Sequence, residues 1–251
     1  MRKAYLIGLF WLSLTILLLV VQARSDEPIE QPSRAIPQPQ CVQVAVADRM
    51  GGSLGTGAYI GPKLVVTCWH VVKDRKSDNS ITVKFPLPLT ITYDGRAVAD
   101  IKWQEIPGTV ILSERKKELA LIELESTPHC EPLSLSSGVE VGQTVSIQGY
   151  GGGKYKQLWG TVYEKKLAPD TRSDFIWFQI KGAISVSGDS GGPVIDERGR
   201  YAGTLWGADT GMTAFLPSDI VIEAVLDLGK ELENFDVPPL PDDYSLDTGA
   251  K

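Results

Sequence analysis

The sequence predicts a predominantly β domain closed by one late helix, and three observations point there. Short apolar stretches alternate with polar residues and are set apart by glycine, proline or aspartate turns, not by helical repeats. The roughly 195 residues from Cys41 to Phe235 can bury a sizeable core. Only the segment after Pro217 shows a convincing apolar stripe of helical period.

The chain opens with Arg2 and Lys3, followed by an uncharged apolar run of 18 residues from Ala4 to Val21. Val21-Gln22-Ala23 then suits signal peptidase, so residues 1–23 read as a signal peptide. The run also reaches the lower limit for spanning a bilayer, which makes an uncleaved anchor the alternative. In both readings the basic residues stay on the cytoplasmic side and everything after Ala23 is extracytoplasmic, periplasmic or secreted. Removing residues 1–23 takes the net charge from −6 to −8. That acidity argues against nucleic acid as a partner. Residues 24–40, with four prolines among mixed polar residues, read as a flexible spacer.

From Cys41 the pattern becomes globular. Val42-Gln43-Val44-Ala45-Val46, Ile81-Thr82-Val83-Lys84-Phe85 and Thr144-Val145-Ser146-Ile147-Gln148 alternate as half-buried strands do. Tyr93-Asp94-Gly95-Arg96 reads as a hairpin turn. Gly149 to Gly153 is a glycine loop without the Lys and Ser/Thr spacing of a phosphate-binding loop. For the late helix, Ser218 is the expected N-cap and Asp219 suits the positive end; Ile220, Val221, Ala224, Val225 and Leu228 form the stripe. Residues 236–251, rich in proline and acids, read as a disordered tail.

Chemistry concentrates in Gly188-Asp189-Ser190-Gly191-Gly192-Pro193, where a serine stands on a tight turn beside unblocked N–H groups. Such a hydroxyl attacks a carbonyl only with a base to take its proton and donors to hold the oxyanion. Of the two histidines, His70 follows the apolar stretch Val65-Val66-Thr67-Cys68-Trp69, itself preceded by Gly55-Thr56-Gly57. His129 sits in a proline-flanked connector and reads as a surface residue. The serine motif also fits the nucleophile elbow of α/β-hydrolases, but that fold places its histidine after the serine, and none follows Ser190.

Together the two motifs resemble those of trypsin-like serine proteases of the chymotrypsin fold, and residues 41–235 are similar to that domain in order and length. The resemblance implies two packed six-stranded antiparallel β-barrels with a C-terminal helix docked on the second. It implies a His-acid-Ser triad of His70, Glu118 and Ser190, with an oxyanion hole from the N–H groups of Gly188 and Ser190. The acid departs from the family pattern: Glu118 precedes Leu119-Ala120-Leu121 where an aspartate is usual, and Asp100 is the fallback. The primary pocket would be formed by Ile184, Ser185, Trp206 and Gly207, which hold no acid and favour small or medium apolar side chains.

The start of the domain lacks Ile-Val-Gly-Gly, so Asp189 is expected to find an internal partner or stay solvated instead of pairing with a new N-terminus. Cys41 and Cys130 are the expected disulfide, tying the first strand to the interbarrel crossover, and Cys68 is the expected buried thiol. The resembled type is a secreted bacterial protease without a C-terminal peptide-binding module. No metal or cofactor is implied, the partner is a protein or peptide substrate, and the oligomeric state is open. Two other classes stand beside the endopeptidase: a degenerate protease fold that binds peptides, and a serine esterase on the same scaffold.

Overall fold

The computed structural model describes residues 37–47, 52–87, 101–167, 176–209, 212–231, 235–242 and 244. The N-terminal segment 1–23, the Tyr93–Arg96 turn and Asp100 lie outside the described residues.

Twelve strands among the described residues close into two six-stranded antiparallel barrels, as expected. The first contains β1 (Cys41–Val46), β2 (Ser53–Gly61), β3 (Leu64–Cys68), β4 (Ile81–Pro86), β5 (Trp103–Glu114) and β6 (Leu119–Leu124), in the order β1-β2-β3-β6-β5-β4. The second contains β7 (Thr144–Gly149), β8 (Lys156–Leu167), β9 (Ile176–Lys181), β10 (Pro193–Asp196), β11 (Tyr201–Asp209) and β12 (Met212–Pro217), in the order β10-β11-β12-β9-β8-β7. Closure leaves neither sheet a free edge, which removes the template for unwanted strand pairing. A four-residue helix, α1 (Trp69–Val72), follows β3, and α2 (Ser218–Glu231) follows β12.

Strand alternation decides what fills each barrel. Val42, Val44 and Val46 of β1 point inward with Val65, Val83, Phe85, Ile106 and Ile122. The second interior is built from Val145, Ile147, Val162, Ile180, Val194 and Phe215. A third apolar cluster joins the barrels: Ala58, Ile60, Val66 and Leu121 of the first meet Tyr201, Ala214 and Leu216 of the second, and the α2 stripe covers them. Truncating a fully buried member such as Leu121 to alanine is expected to cost about 2–5 kcal/mol.

Three sequence expectations change here. Ser218 is the first residue of α2 and not the residue before it, and its hydroxyl donates to Ser136 O at 2.8 Å, tying the helix start to the interbarrel connector. The segment after 235 is not a free tail over its described part: Pro238 is buried and meets Gly61, while Phe235 and Tyr244 lie against the α2 cluster. The Cys41–Cys130 disulfide is not formed, and all three cysteines are free thiols. Alternation gives the reason. Cys41 faces away from Val42 and the first interior, whereas Cys130 packs against that interior cluster, so the two side chains belong to different layers.

Candidate active site

Register brings His70 and Glu118 together. Because β3 and β6 run antiparallel with Cys68 opposite Leu119, the chain leaving β3 and the chain entering β6 emerge side by side. Trp69 N donates to Glu118 O at 3.0 Å, and His70 N donates to Glu118 Oε2 at 3.3 Å. The imidazole Nδ1 lies 2.9 Å from the same carboxylate oxygen. With the Nδ1 proton given to Glu118, Nε2 keeps its lone pair and the ring can serve as a base. Glu118 stands at φ +53°, a left-handed conformation uncommon for a residue with a side chain.

Ser190 stands on the turn between Gly188 and Gly192 that leads into β10. Its Oγ donates to Trp206 O at 3.5 Å, a long and weak bond. Neighbouring amides are committed to the turn: Asp189 N to Val186 O, Gly191 N to Leu205 O and Gly192 N to Asp189 O. The N–H groups of Gly188 and Ser190 donate to no carbonyl among the described residues. A side chain at position 191 would place a Cβ 2.1 Å from Thr56 O, so only glycine permits this close approach of the two barrels.

Two residues that the motifs did not single out hold this turn. Thr56, on β2 and fully buried, donates its N–H to Ser190 O at 3.0 Å and its hydroxyl to Gly188 O at 2.6 Å. The same hydroxyl accepts from Tyr150 N at 3.1 Å, and Thr56 O accepts from Thr67 Oγ1 at 2.7 Å. Lys156, at the start of β8, places Nζ 2.5 Å from Asp189 Oδ2. That carboxylate has no exposed surface and also accepts from Gly151 N at 2.6 Å and Val186 N at 2.7 Å. The internal partner expected for Asp189 is therefore Lys156. The glycine loop has its reason here too, since a Cβ at Gly149 or Gly151 would sit 2.5 Å from Asp189 Oδ1. Thr56 was legible only as part of Gly-Thr-Gly; nothing in the sequence marks Lys156 among the other lysines.

The pocket residues divide. Ser185 is buried and its N–H donates to Thr213 Oγ1 at 2.8 Å. Alternation about this anchor turns Ile184 and Val186 outward, 51% and 50% exposed, so Ile184 is an exposed apolar side chain on the segment leading into the Gly188–Gly192 turn. Trp206 occupies a bulge between Leu205 and Gly207, and Gly207 faces open space. His129 lies apart from the site, its Nδ1 2.6 Å from Gln104 Oε1.

Cys68, two residues before His70, is buried with Sγ 2.9 Å from Leu205 O. Burial, reinforced by the Glu118 charge, pushes its thiol well above the ordinary range. A thiol so held stays protonated and is unsuited to act as a nucleophile.

Residues 55–203 match the family described as the trypsin-like peptidase domain, and His70, Glu118 and Ser190 all fall inside that span. The chain belongs to this family. Among relatives of the trypsin-like peptidase domain, the chain is similar to serine protease Rv3671c of Mycobacterium tuberculosis strain H37Rv, 28% identical over 214 residues. The match covers 78% of this chain and 48% of that protein, so the chain spans about half the length of the curated relatives it matches. In solved structures, the Rv3671c protease in an inactive form is 24% identical, with 76% of this chain and 89% of that chain covered and a TM-score of 0.57. The MamO protease domain from Magnetospirillum magneticum is 19% identical, covering 74% of this chain and 95% of that one with a TM-score of 0.58. At such identities the likeness is one of fold.

Proposed function

We propose that this chain is an exported serine endopeptidase that hydrolyses peptide bonds through an acyl-enzyme, with Ser190 as nucleophile, His70 as base and Glu118 as the acid that orients it. The observations that carry the reading are the Glu118 carboxylate on His70 Nδ1 at 2.9 Å and a Ser190 turn whose Gly188 and Ser190 N–H groups donate to no carbonyl among the described residues.

In this mechanism Ser190 Oγ turns from Trp206 O toward His70 Nε2, loses its proton and attacks the scissile carbonyl. Glu118 fixes the ring and stabilises the imidazolium without itself becoming protonated. The N–H groups of Gly188 and Ser190 receive the oxyanion, a contribution of the kind worth about 10²–10³ in rate per donor. His70 then gives its proton to the leaving amine, and water repeats the sequence on the acyl-enzyme. Ile184, Val186, Ser185, Trp206 and Gly207 flank the acyl side with no acid among them, which favours small or medium apolar side chains. Residues 1–23 supply the export signal or the anchor.

A defined peptide library tests this reading. Cleavage after apolar residues by the parent, absent in Ser190→Ala, is the expected result. Strict cleavage after arginine would overturn the pocket assignment, and turnover of esters with no peptide cleaved would place the same residues in an esterase.

A further inference from the structure

Beside the catalytic pair, two cations gather on a single indole. Trp69 immediately precedes His70, and its N–H bond to Glu118 O stitches the start of α1 to the turn Arg115–Glu118, itself closed by Glu118 N to Arg115 O at 3.3 Å. The Arg115 guanidinium carbon lies 5.3 Å from the centre of the Trp69 ring, and Lys73 Nζ lies 5.7 Å from it. Lys73 arrives there because it stands four residues after Trp69, one turn along the helix. Both cationic residues are exposed and Trp69 is half-buried.

Three carboxylates of this neighbourhood are committed elsewhere. Glu118 holds His70, Asp78 pairs with Arg75 at 2.6 Å, and Glu114 pairs with Lys117 at 3.4 Å. Asp74 is exposed and bridges to neither cation. Among the described residues Lys73 and Arg115 have no carboxylate partner. A π face attracts each cation, yet it does not neutralise them, and two like charges around one ring repel. An incoming carboxylate would relieve that repulsion at little desolvation cost, since both heads face water.

We propose that Lys73 and Arg115, seated on Trp69, form a subsite for an acidic side chain of the peptide substrate, within a few residues of the scissile bond. The chain thus prefers substrates with an aspartate or glutamate on the side of the cleft formed by the first barrel, complementing the apolar side chains of Ile184 and Val186 on the side formed by the second. Position supports this as well as charge. The Trp69–Lys73 stretch contains His70 and the Arg115–Glu118 turn contains Glu118, so the two cations stand on the chain segments that carry the proposed base and acid. On a protein of net charge −6, this pair of exposed cations also draws an acidic substrate toward the site.

The inference rests on the site accepting a peptide, and the test separates the two claims. Pairs of peptides differing only as Glu against Gln, moved position by position along the sequence, are offered to the parent for cleavage and to Ser190→Ala for equilibrium binding. The expected result is a preference for Glu of about three- to tenfold at one position, the range of one or two partly exposed charge pairs. It should shrink between about 0.05 M and 0.5 M salt as the Debye length falls. Arg115→Gln and Lys73→Gln should each reduce the preference and together remove it, while labelling of Ser190 by a fluorophosphonate persists. Cleavage with no Glu preference at any position overturns the subsite and leaves the peptidase reading intact. A Glu preference that survives both substitutions also overturns it. If the parent neither cleaves nor labels, the peptidase reading fails, and the binding comparison in Ser190→Ala still decides whether these cations select an acidic peptide.

Discussion

Glu118 meets His70 twice, through Oε2 at 2.9 Å from Nδ1 and at 3.3 Å from the main-chain N, and it does so from a left-handed backbone at φ +53°. The acid keeps a close contact to the imidazole from this backbone conformation. If this carboxylate sets the tautomer of His70, Glu118→Gln should lower turnover by about 10⁴, the cost of the wrong imidazole tautomer in this template. The unfolding temperature should change little, because glutamine keeps the shape and suits the same φ. Near-parent kcat in a folded Gln variant would remove Glu118 from the triad.

The Lys156–Asp189 pair predicts a loss that is both structural and catalytic. Removing the ammonium in Lys156→Met leaves a fully buried carboxylate with only N–H donors, and breaking a buried pair this way costs about 3–5 kcal/mol, at the low end here because Lys156 itself is 24% exposed. Thermal unfolding should fall accordingly, and kcat should fall with it as the nucleophile turn loosens. In the double variant with Asp189→Asn the stability should recover in part. A Lys156→Met protein of parent stability and rate would show that the pair holds nothing in place.

Thr56 separates positioning from folding. Thr56→Val keeps the volume but strips the hydroxyl from Gly188 O and Tyr150 N, 2.6 Å and 3.1 Å away. A slight displacement of an oxyanion donor is expensive, so kcat should drop by about 10–10² with KM nearly unchanged. Thr56→Ser should retain most of the rate. Equal rates for the Val and Ser variants would assign Thr56 to barrel contact alone.

Alkaline pH should weaken the fold. Burial raises the thiols of Cys41 and Cys68 well above their usual value of 9.0, raises Cys130 to about 11, and raises the phenols of Tyr150, Tyr155 and Tyr201. Folded-state values above the unfolded ones mean that these groups cost nothing below about pH 8–9, where both states are protonated. Above that the unfolded chain releases protons that the folded chain retains, and stability declines with rising pH. Melting temperatures measured from pH 7 to 10.5 should fall, with a shallower slope in Cys68→Ala. A flat profile would contradict the burial of these groups.

Much of this molecule was legible from residue pattern, and the exceptions share a physical cause. Alternation found β1, β4 and β7 within a residue or two, and His70 and Glu118 lie together because the antiparallel ends of β3 and β6 bring them so. Thr56 and Lys156 were missed because their partners are remote: Thr56 and Gly188 are 132 positions apart, and no local pattern encodes that approach. The Cys41–Cys130 bridge was misread although the alternation of Val42, Val44 and Val46 already turned Cys41 to the other face of β1. Composition favours Ser218 as a cap, but the helix already includes it, and its hydroxyl meets a connector carbonyl that only the tertiary fold supplies.

The most direct test of the catalytic assignment is reaction of the protein and its Ser190→Ala variant with a fluorophosphonate, followed by intact and peptide mass analysis. A single adduct on Ser190 of the parent and none on the variant is the predicted result, since only a serine activated by His70 and Glu118 reacts at an appreciable rate. A folded parent that takes up no label, or one labelled at another serine, would contradict the assignment.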